Sequence, residues 1–185
     1  MTRRFDPTPL DPAQVDELLD LARRAPSAGF SQGVHLLALT GPTLQRFWAT
    51  TGGDRWFEPD GVLSAPLVVL PLADPTAYTA RYAEPDKIQH GLHLQENWSV
   101  PFWITDAGMA VENLLLLVEE RGLGALYFGL TTHVREAFDE LGIPSHVLQV
   151  GAVAVGRRAV DDRPSGSPRT RSRRPTVEVV HHNHW

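Results

Sequence analysis

Apolar residues recur at Val15, Leu18, Leu19 and Ala22, the spacing of one face of a helix. Asp11 stands where an N-cap is needed, Pro12 suits the first helical position and Pro26 the stop, so the pattern predicts a helix over 12–24. Small residues from Ala25 to Gly33 then lead into the apolar run Val34 to Leu39, which reads as a buried strand closed by Gly41-Pro42. A short helix over 43–49 follows, and Pro66 to Leu72 reads as a second strand. Between Asp74 and Pro101 the pattern dissolves into Tyr, His, Trp and Pro with no period, which predicts an excursion or lid. The longest periodic segment is a helix capped by Thr105 or Asp106, running to about Arg121 and ended by Gly122. Its apolar residues surround most of the cylinder, so it is expected to be covered on several sides, by its own domain or by a partner subunit. Ala125 to Phe128 is a third strand, Val134 to Leu141 a further helix, and Val147 to Val155 a fourth strand ending at Gly156. No internal repeat is present.

The 185 residues are 42% apolar and 21% charged, with 15 Gly and 15 Pro, an ordinary globular composition for one domain. A chain of this length buries about 70% of the surface its unfolded form exposes, enough for a core without cross-links. There is no Cys, which removes disulfides, thiol nucleophiles and Cys-based metal sites, and suits a reducing compartment. The opening Met1-Thr2-Arg3-Arg4-Phe5-Asp6-Pro7 has no apolar stretch behind its basic residues, against a secretory signal. The longest strongly apolar run, Leu114 to Val118, falls far short of the roughly 20 residues that cross a bilayer. The expectation is a soluble cytoplasmic protein with no membrane partner.

Seventeen basic and 22 acidic residues give a formal charge of −5, unevenly placed. From Arg157 to Arg174 seven Arg face only Asp161 and Asp162, leaving the rest of the chain strongly acidic. An acidic body would repel phosphate backbones, which argues against nucleic acid as a partner. A local anion site suits the composition better, because every basic residue except Lys87 is Arg, whose planar fork matches phosphate. Charge alone equally describes a solvated tail, given Pro164-Ser165-Gly166-Ser167-Pro168.

Three local features bear on chemistry. The loop Pro26 to Gly33 is rich in backbone amides, and its Ser27, Ser31 and Gln32 are able to line a polar edge of a ligand, although a helix-to-strand turn needs such residues anyway. Phe128-Gly129 closes a strand, and Gly there lets the backbone approach a planar ligand or simply makes a turn. The third is the Arg171-Ser172-Arg173-Arg174 cluster. His90 and His93 are three apart with no carboxylate beside them, so no metal site is assigned. His181-His182-Asn183-His184-Trp185 directly continues Val177-Glu178-Val179-Val180 and reads as a tail wrapping a partner subunit. Asp106 and Glu112 are read as capping and solvating the central helix.

In order and spacing these segments resemble the FMN-dependent nitroreductase family. The residues that carry the resemblance are Arg3-Arg4-Phe5, Leu21 to Gln32, Asp106-Ala107-Gly108-Met109-Ala110-Val111-Glu112-Asn113-Leu114, Gly122-Leu123-Gly124, Phe128-Gly129, Leu141-Gly142-Ile143-Pro144 and the Arg-rich tail before Val179-Val180. They span nearly the whole chain. The resemblance implies an α+β fold in three α/β/α layers, a mixed, mainly antiparallel sheet flanked by helices, and a domain-swapped homodimer with flavin at the interface. Residues 1–185 would form one domain, with 81–103 as the lid and 157–185 as an arm reaching the partner.

Carried over by position, Arg3 and Arg4 match the family's basic segment. Arg3 is the cation at the flavin N1–C2=O edge, where it would stabilise charge developing on reduction. Ser27, Ser31 and Gln32 match the polar loop, Phe128 and Gly129 the place where a backbone amide faces N5, and Arg171 and Arg173 the pair that grips the FMN phosphate. Phe30, Trp98, Phe102 and Trp103 would face the substrate, with the Trp and Phe rings of the lid roofing the flavin or merely burying the lid.

The implied activity is ping-pong hydride transfer from NAD(P)H through flavin N5 to a nitroaromatic, quinone or activated alkene, a small-molecule reaction in which the chemistry belongs to the cofactor. No side-chain nucleophile or acid is assigned. The chain departs from the family where Met1 stands in place of a phosphate-binding Ser, and where Gly29-Phe30-Ser31-Gln32-Gly33 stands in place of Asn-x-Gln-Pro. These changes leave room for a deazaflavin. They also leave room for a flavin-storage protein without turnover, for a flavin-fragmenting or peptide-dehydrogenating branch, and for a scaffold with a dead site.

Overall fold

A computed structural model describes residues 1–163 and 166–185. The elements in chain order are α1 (Pro12–Ala22), β1 (Val34–Leu39), α2 (Gly41–Thr51), β2 (Leu67–Ala73), α3 (Pro75–Tyr82), α4 (Phe102–Glu120), β3 (Gly124–Phe128), α5 (Val134–Glu140), β4 (Leu148–Gln149), β5 (Ala152–Gly156) and α6 (Gly166–Thr170). The strands lie in the order β1-β2-β5-β3, with β4 also pairing β2. Every pairing among the described residues is antiparallel, in keeping with the mainly antiparallel sheet that the resemblance implies.

All seven residues of β2 are buried, because the strand is covered on both faces. Val68, Leu70 and Leu72 pack with Leu44, Phe47 and Trp48 of α2 and Ala137 and Phe138 of α5. Leu67 and Val69 pack on the other side with Val15, Leu18 and Ala22 of α1 and Val111, Leu114 and Val118 of α4. The result is the expected α+β arrangement of three layers, in which the strand period of two sorts alternate side chains into separate cores.

Four elements differ from the pattern-based expectation. The run Val34 to Leu39 is an edge strand and only Leu39 in it is fully buried. The single strand expected over 147–155 is broken: Val69 opposes Val153 and Leu72 opposes Gln149, so β4 and β5 hold one residue more than β2 across the gap. That bulge lies opposite Pro71, which has no N–H for the ladder, and Gly151 occupies it at φ 124°, where a Cβ would come within 2.7 Å of the Tyr127 ring. The helix α3 was not expected at all, although Asp74 caps it by accepting from Thr76 N–H at 2.8 Å and Pro75 opens it. Finally, α4 starts at Phe102, a turn before the expected cap, so Trp103 and Asp106 are interior helical residues, both buried.

One face of α4 is packed on the sheet, yet Phe102, Met109 and Leu116, seven residues apart, remain 40%, 39% and 60% exposed. The all-round apolar helix therefore keeps an uncovered stripe. Residues from Gly166 onward are exposed wherever their burial is described. No helix among the described residues is long and apolar enough to cross a membrane.

Leu114, 1% exposed between α1 and the sheet, should lose about 3 kcal/mol of stability on replacement by Ala, with an unchanged denaturant slope in urea unfolding. Leu116→Ala, on the uncovered stripe, should leave the intrinsic stability of a single chain within about 0.5 kcal/mol.

Candidate functional site

The N-terminal segment runs beside the sheet, with Thr2 N–H donating to Ala125 O at 2.9 Å and Phe5 bridging Arg158. Thr2 and Phe5 point inward and are buried, which leaves Arg3 and Arg4 on the rim. Their backbone N–H groups both donate to Asp162 Oδ1, at 2.8 and 2.9 Å. Arg3, Arg4 and Arg163 line a cavity of about 490 Å³ whose apolar wall is Trp56, Phe57 and Val62. Arg4 is charge-matched by Asp161 and Asp60, first Asp161, which raise its already high basicity. Glu58 and Asp161 line the same cavity, Asp161 being paired with Arg4, while among the described residues Arg3 and Arg163 form no ion pair.

Trp56 and Phe57 also line a second cavity, of about 260 Å³, together with Trp48, Phe128, Gly129 and Thr131. Phe128 is stacked on Trp48 with centroids 5.8 Å apart, and meets Phe57 edge-on at 5.1 Å. This packing fixes the end of β3 and holds Gly129 at the cavity wall, where an added Cβ would meet nothing within 4 Å. The Trp48 indole N–H, on the same wall, is buried and has no hydrogen-bond partner. A cationic rim thus continues into an aromatic slot.

The loop before β1 is built differently. Asp106, expected to cap and solvate α4, is 1% exposed, and its Oδ2 accepts from Ala28 N–H and from the Tyr78 hydroxyl, each at 2.8 Å. Burial, followed by the neighbouring carboxylate, pushes the Tyr78 phenol far above its ordinary value. Ser27 Oγ accepts from Gln32 N–H at 3.1 Å and Ser31 Oγ donates to Ala28 O at 2.6 Å, so both hydroxyls are partly used in holding the loop itself. Gly29, Phe30 and Gln32 all have left-handed φ, of 62°, 57° and 52°. Gly29 is required there, since a Cβ would sit 2.7 Å from the Tyr82 ring. Phe30 is left 74% exposed, and the Gln32 side chain is exposed beside it.

Arg81 reaches this loop from α3: its Nε donates to Gly29 O at 3.0 Å, while its two terminal nitrogens grip Asp86 at 2.7 Å each. That fork holds the Asp86 carboxyl well below its ordinary range, at about 2.

Of the residues singled out from sequence, the structure brings Arg3, Arg4, Phe128 and Gly129 to one continuous wall, joined by Trp56 and Phe57. Ser27, Phe30, Ser31 and Gln32 share their own loop and line neither cavity. Arg171 and Arg173 are exposed and line neither. Trp98 and Trp103, expected among the rings facing substrate, pack inward on Tyr78, at 6.0 and 6.1 Å, and Trp103 is 6% exposed. Phe102 keeps an exposed face, on the α4 stripe. No cluster able to hold a metal is found among the described residues. Trp48, Trp56, Phe57 and Arg163 were missed as wall residues. The one available signal was Trp56, a large ring in the polar stretch Gly52 to Gly61, where it is 65% exposed.

The nitroreductase family model matches residues 1–59. The FMN reductase (NADPH) of Bacillus subtilis is 25% identical over 188 residues, covering 98% of this chain and 69% of that protein. Among solved structures, a nitroreductase-like protein from Streptococcus mutans superposes with a TM-score of 0.76 at 18% identity, covering 99% of this chain and 93% of the other. A protein from Desulfovibrio desulfuricans solved in complex with FMN superposes at 0.69 with 22% identity, covering 100% and 91%. These matches bear out the resemblance read from the ordered motifs: the chain has the nitroreductase fold.

A carboxylate titration by NMR should find Asp86 still ionised at pH 3 and protonating near 2. Because its folded value is depressed, the stabilisation from the Arg81 fork is complete above the ordinary carboxylate range, about pH 4, and is lost as the pH falls toward 2. Arg81→Ala should return Asp86 to the ordinary range.

Proposed function

We propose that the protein is an FMN-dependent NAD(P)H oxidoreductase, acting as a homodimer on small electron-poor acceptors such as nitroaromatics, quinones or activated alkenes. The observation that carries this reading is the continuous wall from the Arg3 and Arg163 guanidinium groups, along Trp56 and Phe57, to the open glycine Gly129. Its chemistry fits FMN: cations for a phosphate or an anionic ring edge, aromatic faces for a planar ring, and no Cβ to hold that ring away from the backbone. Similar proteins support it, one being an FMN reductase (NADPH) and another of this fold having been solved with FMN.

Arg3 would hold the charge that develops on the ring edge, and Gly129 would let a backbone group face the reactive edge. Arg171 and Arg173 would reach the phosphate from the C-terminal arm. When bound, FMN supplies the redox chemistry, taking hydride from the reduced nicotinamide and passing it to the acceptor. Phe30 and Phe102, exposed in a single chain, and Trp56 would contact the acceptor.

Within one chain the polar loop lines neither cavity of the Arg3–Gly129 wall, which supports a site completed by a second copy. The stripe of Phe102, Met109 and Leu116 on α4 is an apolar face suited to that contact. In this reading residues 1–185 act as one domain; Arg157 to Arg163 of the expected arm are held on this chain's own N-terminal segment, so the arm reaching the partner would be the residues from Gly166 onward.

Mass spectrometry and absorbance of the protein as isolated should identify FMN, and the yellow colour should bleach anaerobically with NADH or NADPH and return on adding a quinone. Protein that is yellow yet inert to both donors would point to storage. The double change Arg171→Ala with Arg173→Ala should weaken FMN binding about tenfold or more by fluorescence quenching, with little change in melting temperature; unchanged affinity removes the phosphate assignment. Leu116→Arg should convert the dimer to a monomer in light scattering and release flavin with it.

A further inference from the structure

We propose that Arg81, with the buried Asp106–Tyr78 pair, holds the Ser27–Gln32 loop preformed, so that α3 buttresses the flavin loop from behind instead of roofing the ring. This rests on the flavin reading above and adds to it positioning residues that touch neither cofactor nor substrate.

Two attachments converge on the neighbouring residues Ala28 and Gly29 of the loop. From α4, Asp106 accepts the Ala28 N–H at 2.8 Å, and the Tyr78 hydroxyl fixes the same carboxylate oxygen, also at 2.8 Å. From the end of α3, Arg81 donates to Gly29 O at 3.0 Å. Tyr82, the next residue, lies directly against Gly29, in the space a Cβ would need. Arg81 is itself immobilised by Asp86, through both terminal nitrogens, and by Glu84 at 3.0 Å, and its side chain is only 23% exposed.

These contacts offset a conformational cost within the loop. Phe30 and Gln32 are non-glycine residues in the left-handed region, each of order 1 kcal/mol unfavourable, and such conformations persist only where the surroundings over-determine them. With Ser27 and Ser31 committed to bonds inside the loop, the exposed Gln32 amide and Phe30 ring are what the loop presents outward. Their direction therefore depends on the clamp. Trp98 and Trp103 serve the same end, since they pack on Tyr78 and Trp98 also meets Tyr82 edge-on at 4.9 Å.

The test compares Arg81→Ala and Arg81→Lys in the full chain, reading backbone hydrogen exchange, melting temperature and FMN affinity. Lys keeps the charge but lacks both the Nε donor and the fork, so it should behave like Ala. We expect the Ala28, Phe30, Ser31 and Gln32 amides to exchange about tenfold faster, the amides of β1 to be unaffected, and FMN to bind about tenfold more weakly, the factor of roughly one lost charge-assisted hydrogen bond. Melting temperature should stay within about 3 °C, which separates positioning from general destabilisation. Unchanged loop exchange, restoration by Lys, or faster exchange with undiminished FMN affinity would each overturn the proposal. Should the unaltered protein take up no FMN, the flavin reading fails on its own, and loop exchange still decides whether the clamp exists.

Discussion

The architecture depends on one strand that has no solvent side. β2 buries all seven residues, so neither of its faces tolerates water and each must be covered by helices. Alternation then divides the molecule into two cores, one under α2 and α5 and the other under α1 and α4. The elements near the candidate site are positioned by this requirement. Phe128 ends β3 against the first core, which sets Gly129 beside Trp48 and Phe57. The central helix is seated on the second, which turns Asp106 toward the loop that precedes β1.

The candidate site shows how charge is distributed between holding the fold and remaining available. Arg4, Arg81 and Arg121 are engaged by carboxylates and serve the protein itself. Arg3 and Arg163 form no ion pair among the described residues, although Glu58 and Asp161 line the same cavity. In the flavin reading proposed above, these two cations beside aromatic walls would meet the anionic parts of a planar ligand. The Asp106 carboxylate is the reverse case. Its buried Oδ2 accepts hydrogen bonds from a backbone amide and a phenol, an arrangement suited to holding shape.

Much of the fold was legible because helices and strands write their periods locally. The faces of α1 and α4, the strands β2 and β3, and the caps at Asp11 and Gly122 follow from residues within a turn or a few positions of one another. Where the reading failed, a distant partner decided. The break between β4 and β5 reflects Pro71 on a neighbouring strand, and α3 escaped notice because its short length and its aromatic, polar composition blurred the period despite Asp74-Pro75. Trp98 and Trp103 read equally as a roof or as packing that buries the lid, because bulk and position in a lid do not say which way a ring faces.

By itself the sequence determined most of the helices and strands, the ordered motifs whose resemblance implies the three-layer class, and the residue types suited to an anionic planar ligand. The tertiary structure alone decided which of those residues meet. Trp56 and Phe57 join the Arg3 rim to Gly129, and Arg81 grips Gly29, across separations in the chain that leave no periodic trace. The physical reason is that periodicity reports burial along one element, whereas a site forms where several elements end, and the contacts there are set by packing between them.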